Sequence, residues 1–299
     1  MPPRLDDYDG ASSHAFGNIY ILPPSGMHYN TVIFLHGRGS TGREFCEDLS
    51  QGVMSNLRTL QNALRCRGFR LVFPTARLVF SRGLTEWTPA WLEEFFYDLD
   101  QLDVDQHDMV TQNIVDGTEF LHNLIVEETN RLRGNARKLF IDGYSDGGSI
   151  GLWTLLTLPP AVQALGGFIG INTTLPFGPS IKRHMRGEVG LPRPNDPYEE
   201  QRCRQDEFVT DKLTMILRPI RRGSPEPPPR VCRTPILMMH GVNNKIVDIN
   251  LAEEALITLG TMGFATQWFT YTGEEEDAHW ITEPEGFDDI FRFIVGSYH

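Results

Sequence analysis

Short apolar runs alternate along the chain with apolar positions at helical spacing, and this alternation carries most of the structural information in the 299 residues. Asn18 to Leu22 predicts a first strand and Thr31-Val-Ile-Phe-Leu-His36 a second, buried one. Leu49, Val53, Leu57, Leu60 and Leu64 recur at helical spacing and predict a helix from Asp48 to Leu64. Arg70-Leu-Val-Phe-Pro74 reads as a short strand closed by its proline. A long helix is expected over Val110 to Arg133, with Ile114, Leu121, Ile125 and Leu132 along one face. Strands follow at Leu139 to Ile141, Gly166 to Ile171, Pro235 to His240 and Ala265 to Tyr271. Between and after them lie helices at Ile150 to Leu158, stopped by Pro159 and Pro160, at Asn250 to Met262, and at Gly286 to Val295. Asn250 with Glu253 suits a capping box at the start of the second of these. Apolar strands alternating with helices predict an α/β fold, a mostly parallel sheet covered on both faces.

Two stretches interrupt the rhythm. Residues 75–109 read as irregular and rich in aromatics (Phe80, Trp87, Trp91, Phe95, Phe96 and Tyr97), and seven acids between Glu93 and Asp108 read as a solvated face. Residues 176–234 are rich in proline and carry 12 Lys or Arg against 8 Asp or Glu, a formal charge of +4 that leaves −16 on the remainder. An insertion above the active edge of the sheet, before the strand at 235–240, fits this pattern, so the chain reads as one domain with residues 176–234 as an insertion or lid segment within it. Its arginines at 218, 221, 222, 230 and 233 are candidates to meet a carboxylate or phosphate, with plain surface solvation as the simpler reading.

The chemistry concentrates at Gly143-Tyr-Ser145-Asp-Gly147, a G-x-S-x-G sequence with a further glycine at 148. It lies between an apolar strand and an apolar helix, the arrangement of a nucleophile elbow, in which a sharp turn lifts the serine hydroxyl clear of the sheet. A serine hydroxyl is a weak nucleophile until a base takes its proton, and with such an elbow the base is a histidine on a late loop. His279 occupies that place, after the strand ending at Tyr271 and the acidic loop 274–277. Of nine histidines only His279 and the terminal His299 lie beyond this strand; His36 and His240 close strands before glycines and read as structural. An oxyanion needs backbone donors, expected from Asp146, the residue after the serine, and from Arg38 in the Gly37-Arg-Gly39 turn, where the glycines leave room for a substrate carbonyl.

Composition narrows the setting. A net charge of −12 argues against nucleic acid or an anionic membrane as a general partner. No apolar run has the length of a membrane span, and the start lacks the pattern of a signal peptide. The four cysteines show no C-x-x-C spacing, so reduced thiols in the cytosol are expected and no metal or cofactor is implied.

His36-Gly-Arg-Gly-Ser-Thr-Gly42, Gly143-Tyr-Ser-Asp-Gly-Gly148, His240-Gly241 and Asp277-Ala-His279-Trp together resemble the phospholipase/carboxylesterase family, in its acyl-protein thioesterase branch of the α/β hydrolases. The resemblance implies an α/β-hydrolase fold and cleavage of small-molecule acyl esters or thioesters through an acyl-enzyme. Ser145 would be the nucleophile, His279 the base, and the amides of Arg38 and Asp146 the oxyanion hole. Trp91 matches the tryptophan of that family's acyl-site loop, and Trp87 with its neighbours and the insertion would shape the acyl site. One position departs: the family's triad aspartate lies three residues past the glycine of His240-Gly241, where this chain has Asn244. Three readings follow. Asp248, four residues on, replaces the acid; or the site is a weak Ser-His-Asn hydrolase; or hydrolysis is lost, and the pocket binds a small ligand or supports a non-hydrolytic step such as cyclisation or elimination. Acyl length, leaving group and oligomeric state are not encoded in any motif.

Overall fold

The computed structural model describes residues 15–81, 85–93, 103–191, 196–217, 229–273 and 279–296. Their strands are β1 (Phe16–Leu22), β2 (Asn30–Leu35), β3 (Phe69–Ser81), β4 (Glu86–Pro89), β5 (Leu139–Tyr144), β6 (Gly167–Ile171), β7 (Ile236–Gly241) and β8 (Thr266–Tyr271). They form one sheet in the order β1-β3-β2-β5-β6-β7-β8, with β4 paired to β3. Every neighbouring pair from β3 to β8 along this path is parallel, while β1 and β4 run antiparallel to β3. The mostly parallel sheet that the alternation predicts is therefore present, and its successive side chains serve two cores. Along β2, Val32 and Phe34 pack on one face and Ile33 and Leu35 on the other.

The first face is covered by α1 (Gly42–Leu49), α2 (Leu60–Arg65) and α8 (Glu285–Gly296) through Phe45, Leu64, Phe287 and Ile290. The second is covered by α3 (Val104–Arg131), α4 (Asp146–Leu156), α5 (Gly178–Arg186), α6 (Glu199–Leu217) and α7 (Ile249–Thr261). The helices α5 and α6 belong to the 176–234 segment. Together with Phe177 just before α5, they send Ile181, Val209, Leu213 and Ile216 into the same core as α3 and α4. A two-pronged Arg183–Asp206 contact ties the two helices together, and Lys182 reaches Glu254 on α7 at 2.8 Å. Of the five arginines singled out in this segment, 230 and 233 belong to a short 3-10 turn and the other three lie outside the described residues.

Several expected boundaries are corrected. The helix predicted over 48–64 is two helices, α1 and α2, separated by ten residues. Thr41 and Glu44 form a capping box that starts α1 earlier, and Leu57 sits at φ 62° with 84% of its surface exposed. The apolar spacing across 49–64 is a coincidence of two short elements. The strand predicted to stop at Pro74 continues to Ser81. Pro74 lies where β1 skips register between Gly17 and Tyr20, and the register with β2 spans only Phe69 to Val72, so its missing N–H breaks no ladder. The region read as irregular thus holds the β3–β4 hairpin, and α3 starts at Val104, six residues early, on an Asp103–Gln106 capping box. Phe95, Phe96, Tyr97 and the acids at 274–277 lie outside the described residues.

Candidate active site

The last strand residue, Tyr144, and the first of α4, Asp146, flank Ser145 at φ 54°, ψ −124°. A non-glycine residue in that region costs of order 1–3 kcal/mol and persists only when its surroundings over-determine it. Here they do. Ser145 N–H donates to Ile171 O at 2.9 Å, and its carbonyl accepts from Thr173 Oγ1 at 2.8 Å and Gly148 N–H at 3.0 Å. The serine occupies the N-cap position of α4, yet its side chain makes no capping hydrogen bond. The hydroxyl is therefore left for other chemistry.

The Gly37 turn stands directly beside this elbow. A methyl group added at Gly37 would lie 2.9 Å from Tyr144 Cδ1 and 3.3 Å from Ser145 Cβ, so only glycine permits the approach. Two amides of the turn are committed, Gly39 N–H to Pro89 O at 2.8 Å and Ser40 N–H to Gly37 O at 3.4 Å. Below it His36 is a strut. Its Nε2 accepts from Ala76 N–H at 3.0 Å and its Nδ1 donates to Gly37 O at 2.7 Å. Burial lowers its pKa to about 4, which keeps the ring neutral.

The side chains of Arg38 and Asp146 brace the 90–92 segment from two sides. The Arg38 guanidinium donates to Leu92 O, and Asp146 Oδ2 accepts from Trp91 N–H at 3.2 Å. Burial raises the Asp146 pKa to about 6, partly offset by the Arg38 charge and by the Trp91 and Leu92 amides. Trp91 is 1% exposed and its indole donates to His36 O at 3.0 Å, so it props the turn and offers no surface to a substrate. Trp87 instead lines a groove of about 380 Å³ between the β3–β4 hairpin and α3, with Val79, Phe80 and Met109. The lining of that groove includes neither Ser145 nor His279.

His279 is held by its backbone. Its carbonyl accepts from Tyr144 Oη at 2.9 Å and from Asn172 Nδ2 at 2.5 Å, and its ring lies 5.0 Å from that of Tyr144, the neighbour of Ser145. Asn172 is fully buried at φ 49°, a conformation asparagine tolerates, and also accepts from Gly241 N–H and donates to Tyr271 Oη. This cradle of Tyr144, Asn172 and Tyr271 carries no signal in the motifs; an asparagine closing a buried strand is the one available hint. Asn172→Ala is expected to strand the Gly241 amide and to free His279. The loss should be about 2 kcal/mol in thermal unfolding, with a tenfold or greater drop in the rate of Ser145 labelling.

The remaining two positions are told apart by their contacts. Asn244 Nδ2 lies 2.9 Å from His279 Nδ1, with Oδ1 at 3.3 Å. The Asp248 carboxylate caps α7 instead, with Oδ1 accepting from Asn250 N–H at 2.9 Å and from Asn250 Nδ2 at 2.8 Å. This corrects the cap expected at Asn250 and engages Asp248 away from His279. The structure thus gathers Ser145, Gly37, Arg38, Asp146, His279 and Asn244, with Trp91 buried behind the turn as a prop, and leaves Trp87 and Asp248 elsewhere.

Residues 17–192 match the family described as phospholipase/carboxylesterase. A protein of Gibberella zeae named acyl-protein thioesterase 1 is 22% identical over 279 residues, 92% of this chain and 93% of its own length. One of the same name from Yarrowia lipolytica is 29% identical over 158 residues, 52% of this chain and 62% of its own length. Among solved structures, Arabidopsis thaliana SOBER1 superposes with a TM-score of 0.60 at 18% identity, covering 90% of this chain and 99% of that one. Zea mays acyl-protein thioesterase 2 gives 0.59 at 17% identity, covering 94% and 99%. Fold, elbow and a match over more than half of its length agree: the chain belongs to the phospholipase/carboxylesterase family of α/β hydrolases.

Proposed function

We propose that the protein is a serine hydrolase that cleaves a carboxylic ester or thioester through an acyl-enzyme on Ser145. The observation that carries this reading is the strained Ser145 turn, set against the Gly37 loop on one side and the Tyr144-held His279 on the other. In the acylation step Ser145 Oγ bonds the acyl carbon, its proton passes by way of His279 Nε2 to the departing sulfur or oxygen, and the C–S or C–O bond breaks. Water then repeats the sequence to release the acid. The oxyanion would take the amides of Asp146, at the start of α4, and of Arg38, the amides of Gly39 and Ser40 after it in the turn being already committed. The names of the relatives put acyl thioesters first among the substrates to try.

In this reading the helices α5 and α6 form a fixed wall and not a lid. Swinging them away would expose several core side chains, each worth about 1.5–3 kcal/mol buried. Cys46, Cys66, Cys203 and Cys232 are free thiols, which suits a reducing compartment, and the proposal places the protein in the cytosol. No helix of the described residues is long and apolar enough to cross a membrane.

A second reading has a specific observation in its favour: His279 Nδ1 meets the amide of Asn244 where the family places a carboxylate. A neutral partner cannot balance the imidazolium formed when the ring takes a proton, and in this reading the pocket binds a ligand or supports a non-hydrolytic step. Fluorophosphonate labelling separates the two. The hydrolase reading expects an adduct on Ser145, none in Ser145→Ala, and turnover of an acyl thioester or p-nitrophenyl ester lost in the same variant. A wild type that binds acyl compounds but is neither labelled nor turns them over, with Asn244→Asp equally silent, would overturn it.

A further inference from the structure

The Asn244 amide is not free to choose which of its two ends faces His279. Its Oδ1 accepts from Ile246 N–H at 2.8 Å and from Val247 N–H at 2.9 Å, which occupies both lone pairs of the carbonyl. Rotating the amide by half a turn would place its NH₂ against these two N–H donors. The two backbone donors therefore fix the orientation, since the surrounding hydrogen bonds are what tell the ends of an amide apart. The turn itself is fastened on three sides. Asn244 N–H donates to Gly241 O at 3.1 Å, His240 Nε2 donates to Val247 O at 3.0 Å, and the Asn243 side chain exchanges two hydrogen bonds with Gly273 at 2.9 and 3.1 Å.

With both lone pairs of Oδ1 engaged by the backbone, Oδ1 stands off from His279 Nδ1 at 3.3 Å, and the nearer end of the amide is the donor Nδ2 at 2.9 Å. Nδ1 must then be the acceptor, and a neutral imidazole that accepts at Nδ1 carries its proton on Nε2. We propose that Asn244 is a positioning residue that holds His279 in the Nε2–H tautomer, so that the ring presents a hydrogen-bond donor to Ser145 and the hydrolase rests in an idle state. This rests on the hydrolase reading for its consequence but not for its geometry. To accept the Ser145 proton at Nε2, the ring must first move its own proton to Nδ1. There it would face the Asn244 NH₂ donor to donor, or drive the amide round and leave Ile246 N–H and Val247 N–H without their acceptor. Aspartate at the same place keeps Oδ1 for the two backbone donors and offers Oδ2 to a protonated Nδ1. The scaffold is thus already shaped for a carboxylate. In serine-protease triads the equivalent aspartate-to-asparagine change selects the wrong tautomer and lowers turnover by about 10⁴.

The test is long-range proton–nitrogen correlation on the full chain labelled with ¹⁵N-histidine, the His279 signals being assigned by their loss in His279→Gln. Wild type is expected to show a protonated Nε2 and a pyridine-type Nδ1, and Asn244→Asp the reverse. Hydrolysis of a p-nitrophenyl acyl ester should rise by about 10²–10⁴ in Asn244→Asp. Asn244→Ala, which removes the NH₂ donor without supplying an acceptor, should release the tautomer preference but recover far less turnover. A wild-type His279 protonated on Nδ1 would overturn the proposal, as would an Asn244→Asp variant that keeps the Nε2–H form. If the tautomers switch as expected while every variant is silent toward esters and Ser145 takes no fluorophosphonate, the tautomer assignment stands. It is then the hydrolase reading that falls.

Discussion

Gly147→Ala is expected to dismantle the elbow, lowering stability by about 3 kcal/mol or more and removing fluorophosphonate reactivity at Ser145. The reason is the nature of what a Cβ would strike. It would lie 2.4 Å from His36 O, 2.5 Å from Leu35 O and 2.7 Å from Leu35 C, all main-chain atoms of β2 and its exit. Overpacking against side chains costs typically about 1–3 kcal/mol because rotamers yield, but β2 is hydrogen-bonded to β3 and β5 on its two sides and has nowhere to go. The relief available is to lift α4 away from the sheet, which opens the turn that holds Ser145. In thermal unfolding this corresponds to a fall of roughly 10 °C. Gly178→Ala is the control. Nothing lies within 4 Å of a Cβ added there, and its midpoint should stay within about 1–2 °C of wild type. Equal midpoints for Gly147→Ala and Gly178→Ala would show that α4 does not press on β2 as described.

The second large effect concerns Asp142, three residues before the serine. It is 2% exposed, and by strand alternation it shares the face of Phe140. Its Oδ2 has no hydrogen-bond partner among the described residues. Burial raises its pKa from the usual 3.8 to about 8. Between these two values the folded protein holds a proton that the unfolded chain has released, so stability falls as pH rises through this window. The burden at pH 7 is about 4 kcal/mol, since each pKa unit is worth about 1.4 kcal/mol. The substitution Asp142→Asn is nearly isosteric and removes the titrating group. The variant should be more stable than wild type by about 10 °C at pH 8, and the gap should close as the pH is lowered toward 4. Paired thermal melts at pH 5 and pH 8 check this, and a gap that does not change with pH would mean that Asp142 is not protonated in the native state.

Patterning succeeds where a single rule governs a whole element. Leu139 to Ile141, Thr31 to Leu35 and Ile236 to His240 are apolar on both faces because helices cover both faces, and such runs are legible without neighbours. It fails where two rules compete. Pro74 ends a strand in isolation but not beside a register skip in β1, and leucines at helical spacing do not make a helix across Ser50 to Thr59 when a better cap stands at Thr41. At the site, Ser145, His279 and the Gly37 turn are visible as types in an order, whereas Asn172, Tyr144 and Tyr271 are not. These last three act by aiming hydrogen bonds at the His279 carbonyl or its neighbour, and no spacing rule records an aim.

By itself, then, the order of residues determined the class of the fold and the chemical kinds brought to its active edge, because hydrophobic period and chain connectivity are local properties. The absence of an acid at position 244 was equally plain from the chain. What that asparagine does was decided only by tertiary structure. The same side chain is a weak substitute acceptor if its carbonyl faces His279 and a lock if its amide does. The choice between them is made by two backbone N–H groups, Ile246 and Val247, that happen to reach its oxygen first. Asp248 was equally free to be the missing acid until the start of α7 claimed its carboxylate. A lone pair serves one hydrogen bond at a time, and which partner receives it is a matter of distance in three dimensions.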